Sequence, residues 1–280
     1  MSVYDIITDR IVAMLEKGTA PWHQPWYSTA TGEGPMNLTT KKPYHGLNVM
    51  LLGCLNYERP YFLTYKQAAA NGGQVRKGEK GYPVIFWKIE EETEVLKERS
   101  FLLRYYTVFN VSQCDGLSHL LPVAIEKPVE GPEAHAKAES IADGYQNGPS
   151  VTYGSNRAYY QPLTDQVYMP HRADFVGQAE FYSTLFHELG HSTGHKNRLN
   201  RPTLADACMF GDTNYSKEEL VAEFTAAFLC GAAGIENLAA LNNSAAYIQG
   251  WSRELKKDAT LIVKAASQAT KAADLILGVK

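Results

Sequence analysis

The residues best suited to chemistry lie in FYSTLFHELGHSTGH, where His187, Glu188 and His191 form a His-Glu-x-x-His arrangement. Residues four apart on a helix differ by about 40° around its axis, so both imidazoles would project from one face. Neutral imidazole is a good ligand for a divalent ion, and two ligands on one helix need no loop ordering. Glu188 falls beside them and points past the ion. There it can act as general base toward water that the ion acidifies, which is the chemistry of metal-assisted hydrolysis. Phe181, Leu185 and Phe186 supply an apolar flank that would face a core while the ligand face opens on a cleft. One divalent ion is expected, zinc first, with manganese or nickel able to take its place.

A hydrolytic metal site normally takes three protein ligands and leaves one position open. His195 is one candidate, but it falls two residues early for the metzincin spacing HExxHxxGxxH, so it is placed beside the site and not on the metal. The downstream stretch SKEELVAEFTAAFL offers Glu219 and Glu223, four apart on one helix face. In the gluzincin arrangement one such acid binds metal and an acid one turn later hydrogen-bonds a ligand histidine. We assign Glu219 as ligand and Glu223 as the supporting acid, and pattern alone separates the two. Glu218, offset by one residue, is expected to face solvent. Lys196 and Arg198 read as cations complementing a helix C-terminus. Tyr160, Tyr168 and His171 precede the motif helix on a segment that would edge the cleft.

A second set of candidates lies near the N-terminus. Trp22, Trp26 and Trp87 occur among Lys41, Lys42, Arg76, Lys77 and Lys80. Aromatic rings interleaved with cations can stack single-stranded bases while the cations follow phosphates. Glu90, Glu91 and Glu92 offset that charge, and aromatic strands also build ordinary cores.

The elements that must position these groups are legible from periodicity. Ile7, Ile11, Met14 and Leu15 recur at helical spacing before Gly18. Thr64 can cap a short helix that ends at Asn71-Gly72-Gly73. YPVIFWKI and SFLLRYYTVFNV, separated by a charged stretch, predict a β-hairpin. Three prolines and a glycine between Pro122 and Pro132 mark a boundary, giving domains 1–125 and 133–280. Beyond it, helices are expected over 134–145, 179–193, 217–232 and 258–277, with short strands turning at Leu163-Thr164-Asp165. The fold class is therefore α+β: a small mixed N-terminal domain with an antiparallel hairpin, and a mainly helical second domain with a short sheet.

The bulk numbers fit a two-domain globular protein: 280 residues, 45% hydrophobic and 20% charged. A formal net charge of −3 gives no overall pull toward nucleic acid, so any such interface must be local. The N-terminus lacks a signal-peptide pattern, and the apolar run near Phe224–Ile235 is too short to span a bilayer. Cys54, Cys114, Cys208 and Cys230 form no CxxC pair, which suits reduced thiols in the cytoplasm.

These motifs together resemble a known family. PWHQPW, NLTTKKPYHGLNVMLL, KQAAANGGQVRKGEKGYPVIFW and RYYTVFNVSQCDGL are similar to the N-terminal domain of ArdC-type antirestriction proteins, shared with TraC-type plasmid primases. YQPLTDQVYMP, FYSTLFHELGHSTGHKNRLNR and YSKEELVAEFTAAFL resemble the zincin-like metallopeptidase domain of the same family. The resemblance implies a protein of plasmids, conjugative elements or phages that binds single-stranded DNA and shields incoming DNA from restriction. Host restriction enzymes or another protein would be the peptidase partner, and no membrane is involved. Two alternatives are a metallopeptidase whose N-terminal domain recognises protein, and a DNA-binding protein whose metal is only structural.

Overall fold

The computed structural model describes residues 2–18, 20–23, 34–90, 100–122, 131–205, 213–235 and 245–279. The charged turn of the predicted hairpin, most of the Pro122–Pro132 boundary, Trp26 and Cys208 lie outside these residues. The chain is a mixed α/β protein of two units, one comprising residues up to Arg10 and Trp26–Lys127, the other Ile11–Pro25 and Pro128–Lys280. The first helix, α1 (Val3–Leu15), contributes to both. The division thus differs from a single cut near the prolines, because Ile11–Pro25 clusters with the second unit.

The first unit is built on β1 (Met36–Asn37), α2 (Leu47–Gly53), β2 (Tyr61–Leu63), α3 (Tyr65–Ala70), β3 (Gln74–Val75), β4 (Tyr82–Glu90), β5 (Ser100–Asn110) and β6 (Cys114–Asp115). One sheet runs β1-β2-β5-β4, and β3 pairs with β6. Helix α3 follows its sequence signals. The Thr64 hydroxyl accepts from the Gln67 amide at 3.2 Å, and the Gln67 side chain accepts from the Thr64 amide at 2.9 Å. At its end Gly72 takes a positive φ of 78°. The Gly73 and Gly72 amides return to the Ala68 and Ala69 carbonyls at 2.9 and 3.1 Å, the closure a left-handed glycine permits. Phe62, Val84 and Val108 are buried together with Tyr44 and Leu52.

The second unit contains α4 (Pro132–Asp143), β7 (Ser150–Tyr153), β8 (Tyr159–Gln161), β9 (Gln166–Met169), α5 (Gln178–Ser192), α6 (Pro202–Ala205), α7 (Thr213–Ala233), α8 (Ala245–Lys257) and α9 (Leu261–Leu277). β9 is central, parallel to β7 and antiparallel to β8. Asp165 takes a φ of 52° in the β8–β9 turn, a left-handed conformation that Asp tolerates better than most residues. Helix α7 lies between α5 and α9. Leu220, Val221, Phe224, Ala227 and Leu229 are all buried, as a helix enclosed on most sides requires. Phe181, Tyr182, Leu185, Phe186 and Leu189 anchor α5 in the same core. Each large side chain so buried contributes about 1.5–3 kcal/mol, which holds the motif helix rigid.

Candidate metal centre

Helices α5 and α7 pack closely because Gly190 leaves room. A Cβ there would stand 3.1 Å from Thr225 Cβ and 3.2 Å from Ala222 Cα. That approach brings His187 and His191 on α5 opposite Glu219 on α7. The two Nε2 atoms are 3.1 Å apart, and the Glu219 oxygens lie 3.6 Å from His187 Nε2 and 3.4 Å from His191 Nε2. Around a tetrahedral ion, ligand atoms about 2.1 Å from the centre are separated by about 3.4 Å. The three donors fit such an ion, and their chemistry, two imidazoles and one carboxylate, suits zinc or manganese. His187 Nδ1 is buried with no hydrogen-bond partner among the described residues, and its Nε2 is the nitrogen that faces the other donors. Glu188, on the adjoining position of α5, is buried.

Burial works against protonation of both imidazoles, yet the facing Glu219 carboxylate outweighs it. Both therefore titrate above the ordinary histidine range, His191 well above. A metal held here competes with those protons, so its affinity falls as pH drops. Gly190→Ala is expected to part the two helices slightly, lowering the melting temperature and the metal affinity together. The effect opposes alanine's better helix propensity of about 1 kcal/mol. Thermal melting with a metal titration checks it, and a variant that melts higher with unchanged metal affinity would show that the helices have slack.

Glu218 is not at the surface but buried, where it meets Arg201. Arg201 donates from Nε to Glu218 Oε2 at 3.0 Å, and Thr203 donates to the same oxygen at 2.6 Å. Glu218 Oε1 also lies 3.6 Å from His191 Nδ1, the position beside a candidate ligand histidine that Glu223 was expected to take. Burial alone would raise its pKa, but His191 and Arg201 bring it down to about 2. Glu223 is engaged elsewhere. His23 Nε2 lies 3.2 Å from its Oε2, and Tyr247 donates to its Oε1 at 2.9 Å. The partner that buries Glu218 is Arg201, 17 residues upstream; nothing local marked His23 or Tyr247.

The segment after the motif closes the helix end. Arg201 donates to the Gly190 carbonyl at 2.9 Å, and Arg198 donates to the Ser192 carbonyl at 2.8 Å. These are the orphan acceptors of a helix C-terminus. A Cβ on Gly194 would lie 2.9 Å from Arg201 Nη2, so a larger residue there would press on the guanidinium. His195 Nδ1 sits 3.8 Å from Asp165, and it is not among the three converging donors. Asp165 also receives Arg198 and the Tyr160 hydroxyl, which ties Tyr160 into this clamp. Tyr168 stacks on Tyr159 at 4.8 Å, and His171 Nε2 packs against Gly154.

Of the aromatic and basic candidates, Trp22 is placed differently from expectation. It is fully buried in the second unit, 5.3 Å from Phe224 and 6.0 Å from Trp251 by ring centroids. No face of its ring is open to a base. Lys41 donates to the Leu120 carbonyl at 3.2 Å, and Arg76 pairs with Glu79 and Asp115. Lys42, Lys77, Lys80 and Trp87 are exposed.

Two family models match the chain. Residues 1–109 match the N-terminal domain of anti-restriction factor ArdC, and residues 136–268 match a zincin-like metallopeptidase. Among curated proteins, a DNA primase TraC of Escherichia coli is 35% identical over 98% of this chain. The chain spans only 27% of that primase. The uncharacterized protein y4eC of Sinorhizobium fredii (strain NBRC 101917 / NGR234) is 33% identical, over 97% of this chain and 90% of its own length. Among solved structures, the Mn(II)-bound antirestriction ArdC protein from the R388 plasmid is 36% identical with a TM-score of 0.77, covering 100% of this chain and 98% of that one. Its metal-free form is 37% identical with a TM-score of 0.75, covering 99% and 97%.

Proposed function

The chain belongs to the ArdC antirestriction family, and from that premise we propose that it protects unmodified DNA entering a cell on a mobile element. The first unit binds single-stranded DNA in the cytoplasm without strong sequence preference. The second holds one divalent ion on His187, His191 and Glu219, with zinc as the resident metal and manganese or nickel able to replace it. Glu188 serves as general base there. The observation that carries the reading is the likeness to ArdC along the whole chain, both units included, at 36% identity.

When bound, the ion would supply Lewis acidity and lower the pKa of water to about 7. The protein's own part follows from the geometry. Glu219 balances the charge between the imidazoles, and Glu218 with Arg201 holds the His191 ring in orientation. Glu188 takes and returns a proton from its buried position beside the ligands. In the first unit, exposed Lys42, Lys77 and Lys80 are available to phosphates, and Trp87 is exposed on the β4–β5 hairpin.

Gel shifts of the full chain with single- and double-stranded oligonucleotides test the DNA half of the reading. Single strands should bind preferentially. Affinity should fall steeply from low to physiological salt, because each neutralised phosphate contributes a slope of about −0.7. Transfer of unmodified DNA into a restricting host, with and without the protein, tests protection. Flat salt dependence, or transfer that is no better with the protein present, would sink the proposal.

A further inference from the structure

Strands β4 and β5 pair over Tyr82–Glu90 and Ser100–Val108, whereas β2 reaches only Phe109 and Asn110 of β5. Among the described residues, most of this hairpin is therefore a two-stranded ribbon with no third strand beside it. Side chains alternate faces along each strand, and directly paired residues share a face. Val84 and Tyr106, then Phe86 and Arg104, occupy one face. Ile85 and Tyr105, then Trp87 and Leu103, occupy the other.

Burial changes abruptly along the first face. Val84 is fully buried, but Phe86 and Tyr106 are 42% and 38% exposed. Their ring centroids are 5.7 Å apart. That is too close to admit a base between them, so each ring offers its outer surface. Arg104, directly across from Phe86, is exposed, and no carboxylate pairs with it among the described residues. Exposed rings on a ribbon forgo burial that a core would supply, and a guanidinium at their edge with no carboxylate partner among the described residues selects an anionic ligand with flat apolar groups. A single nucleic-acid strand has both, and stacking on rings tolerates any base.

We infer that the face of the β4–β5 ribbon carrying Phe86, Arg104 and Tyr106 is the base-stacking platform for single-stranded DNA. This rests on the single-strand reading above and adds to it the site. Phe86 and Tyr106 each take one base, and Arg104 meets the phosphate between them.

Fluorescence anisotropy of the full chain with a labelled oligothymidylate tests it. Phe86→Leu and Tyr106→Leu keep apolar bulk but remove the ring. Each should weaken binding by about 5- to 150-fold, the range stacking of one base spans. Arg104→Gln should reduce the salt slope by about 0.7. Tyr65→Leu, which alters an exposed ring on α3, should bind as the parent does. Equal melting curves establish that the variants fold. Loss confined to Trp87→Leu would overturn this face and leave the single-strand reading intact. Parent-like binding in all four ribbon variants, Trp87→Leu included, would overturn the ribbon. Failure of the unaltered chain to bind the oligomer at low salt would overturn both.

Discussion

Exchange of Arg201 for methionine is expected to destabilise the second unit by about 3–5 kcal/mol, the cost of leaving one partner of a buried ion pair alone. The Arg201 side chain is 4% exposed and that of Glu218 2%. Besides Glu218, Arg201 holds the Thr193 hydroxyl at 2.6 Å and the Gly190 carbonyl at 2.9 Å. Its removal strands a buried carboxylate and uncaps the motif helix at once. For a unit of this size the melting transition should drop by roughly 6–20 °C. Metal affinity should fall by about 10- to 100-fold, because Glu218 then no longer orients His191. The double variant Arg201→Met with Glu218→Met should recover much of the stability but not the metal affinity. A melting transition unmoved by Arg201→Met would refute this account.

The pH dependence of the same pair has a definite sign. Glu218 is depressed in the folded protein to about 2 from its ordinary 4.5. The ionised, paired form therefore stabilises the fold fully above pH about 4.5 and loses that contribution as pH falls toward 2. Acid titration followed by circular dichroism should show this sensitivity in the parent and not in the double variant.

The convergence of the three donors was legible in the sequence because helical periodicity fixes which side chains share a face. His187, His191 and Glu219 need only two helices and their approach. Glu218 was not legible, since a carboxylate one residue off the ligand face looks solvated until a distant arginine is known to reach it. Trp22 and His23 failed for a similar reason. Trp22 reads in the sequence as a ring open to bases, whereas the burial of both is decided by contacts with Phe224, Tyr247 and Trp251, about two hundred residues away in the chain. Helix α8 escaped notice although Ile248, Trp251 and Leu255 are buried at helical spacing. In the hairpin, pairing was predicted from composition. Which face each aromatic takes depends on register, and register needs the partner strand.

Replacement of Glu188 by alanine is expected to separate the two halves of the proposed function. A general base contributes about 10²- to 10⁴-fold to a rate, so metal-dependent hydrolysis of an unstructured protein such as casein should fall by that factor. Glu188 is not among the three converging donors, so the metal content measured by elemental analysis should stay at one ion per chain in variant and parent alike. His187→Ala, by contrast, removes a donor and should lower metal content and melting temperature together. Single-strand affinity should survive both changes, because the candidate platform and the metal donors fall in different units of the fold. DNA protection should follow the single-strand affinity and not the hydrolysis. Coating an incoming strand requires no turnover, and one cleft would have to accept many unrelated restriction enzymes to protect by cleavage. Loss of protection in Glu188→Ala, with folding, metal and DNA binding intact, would reverse this assignment and make hydrolysis the means of protection.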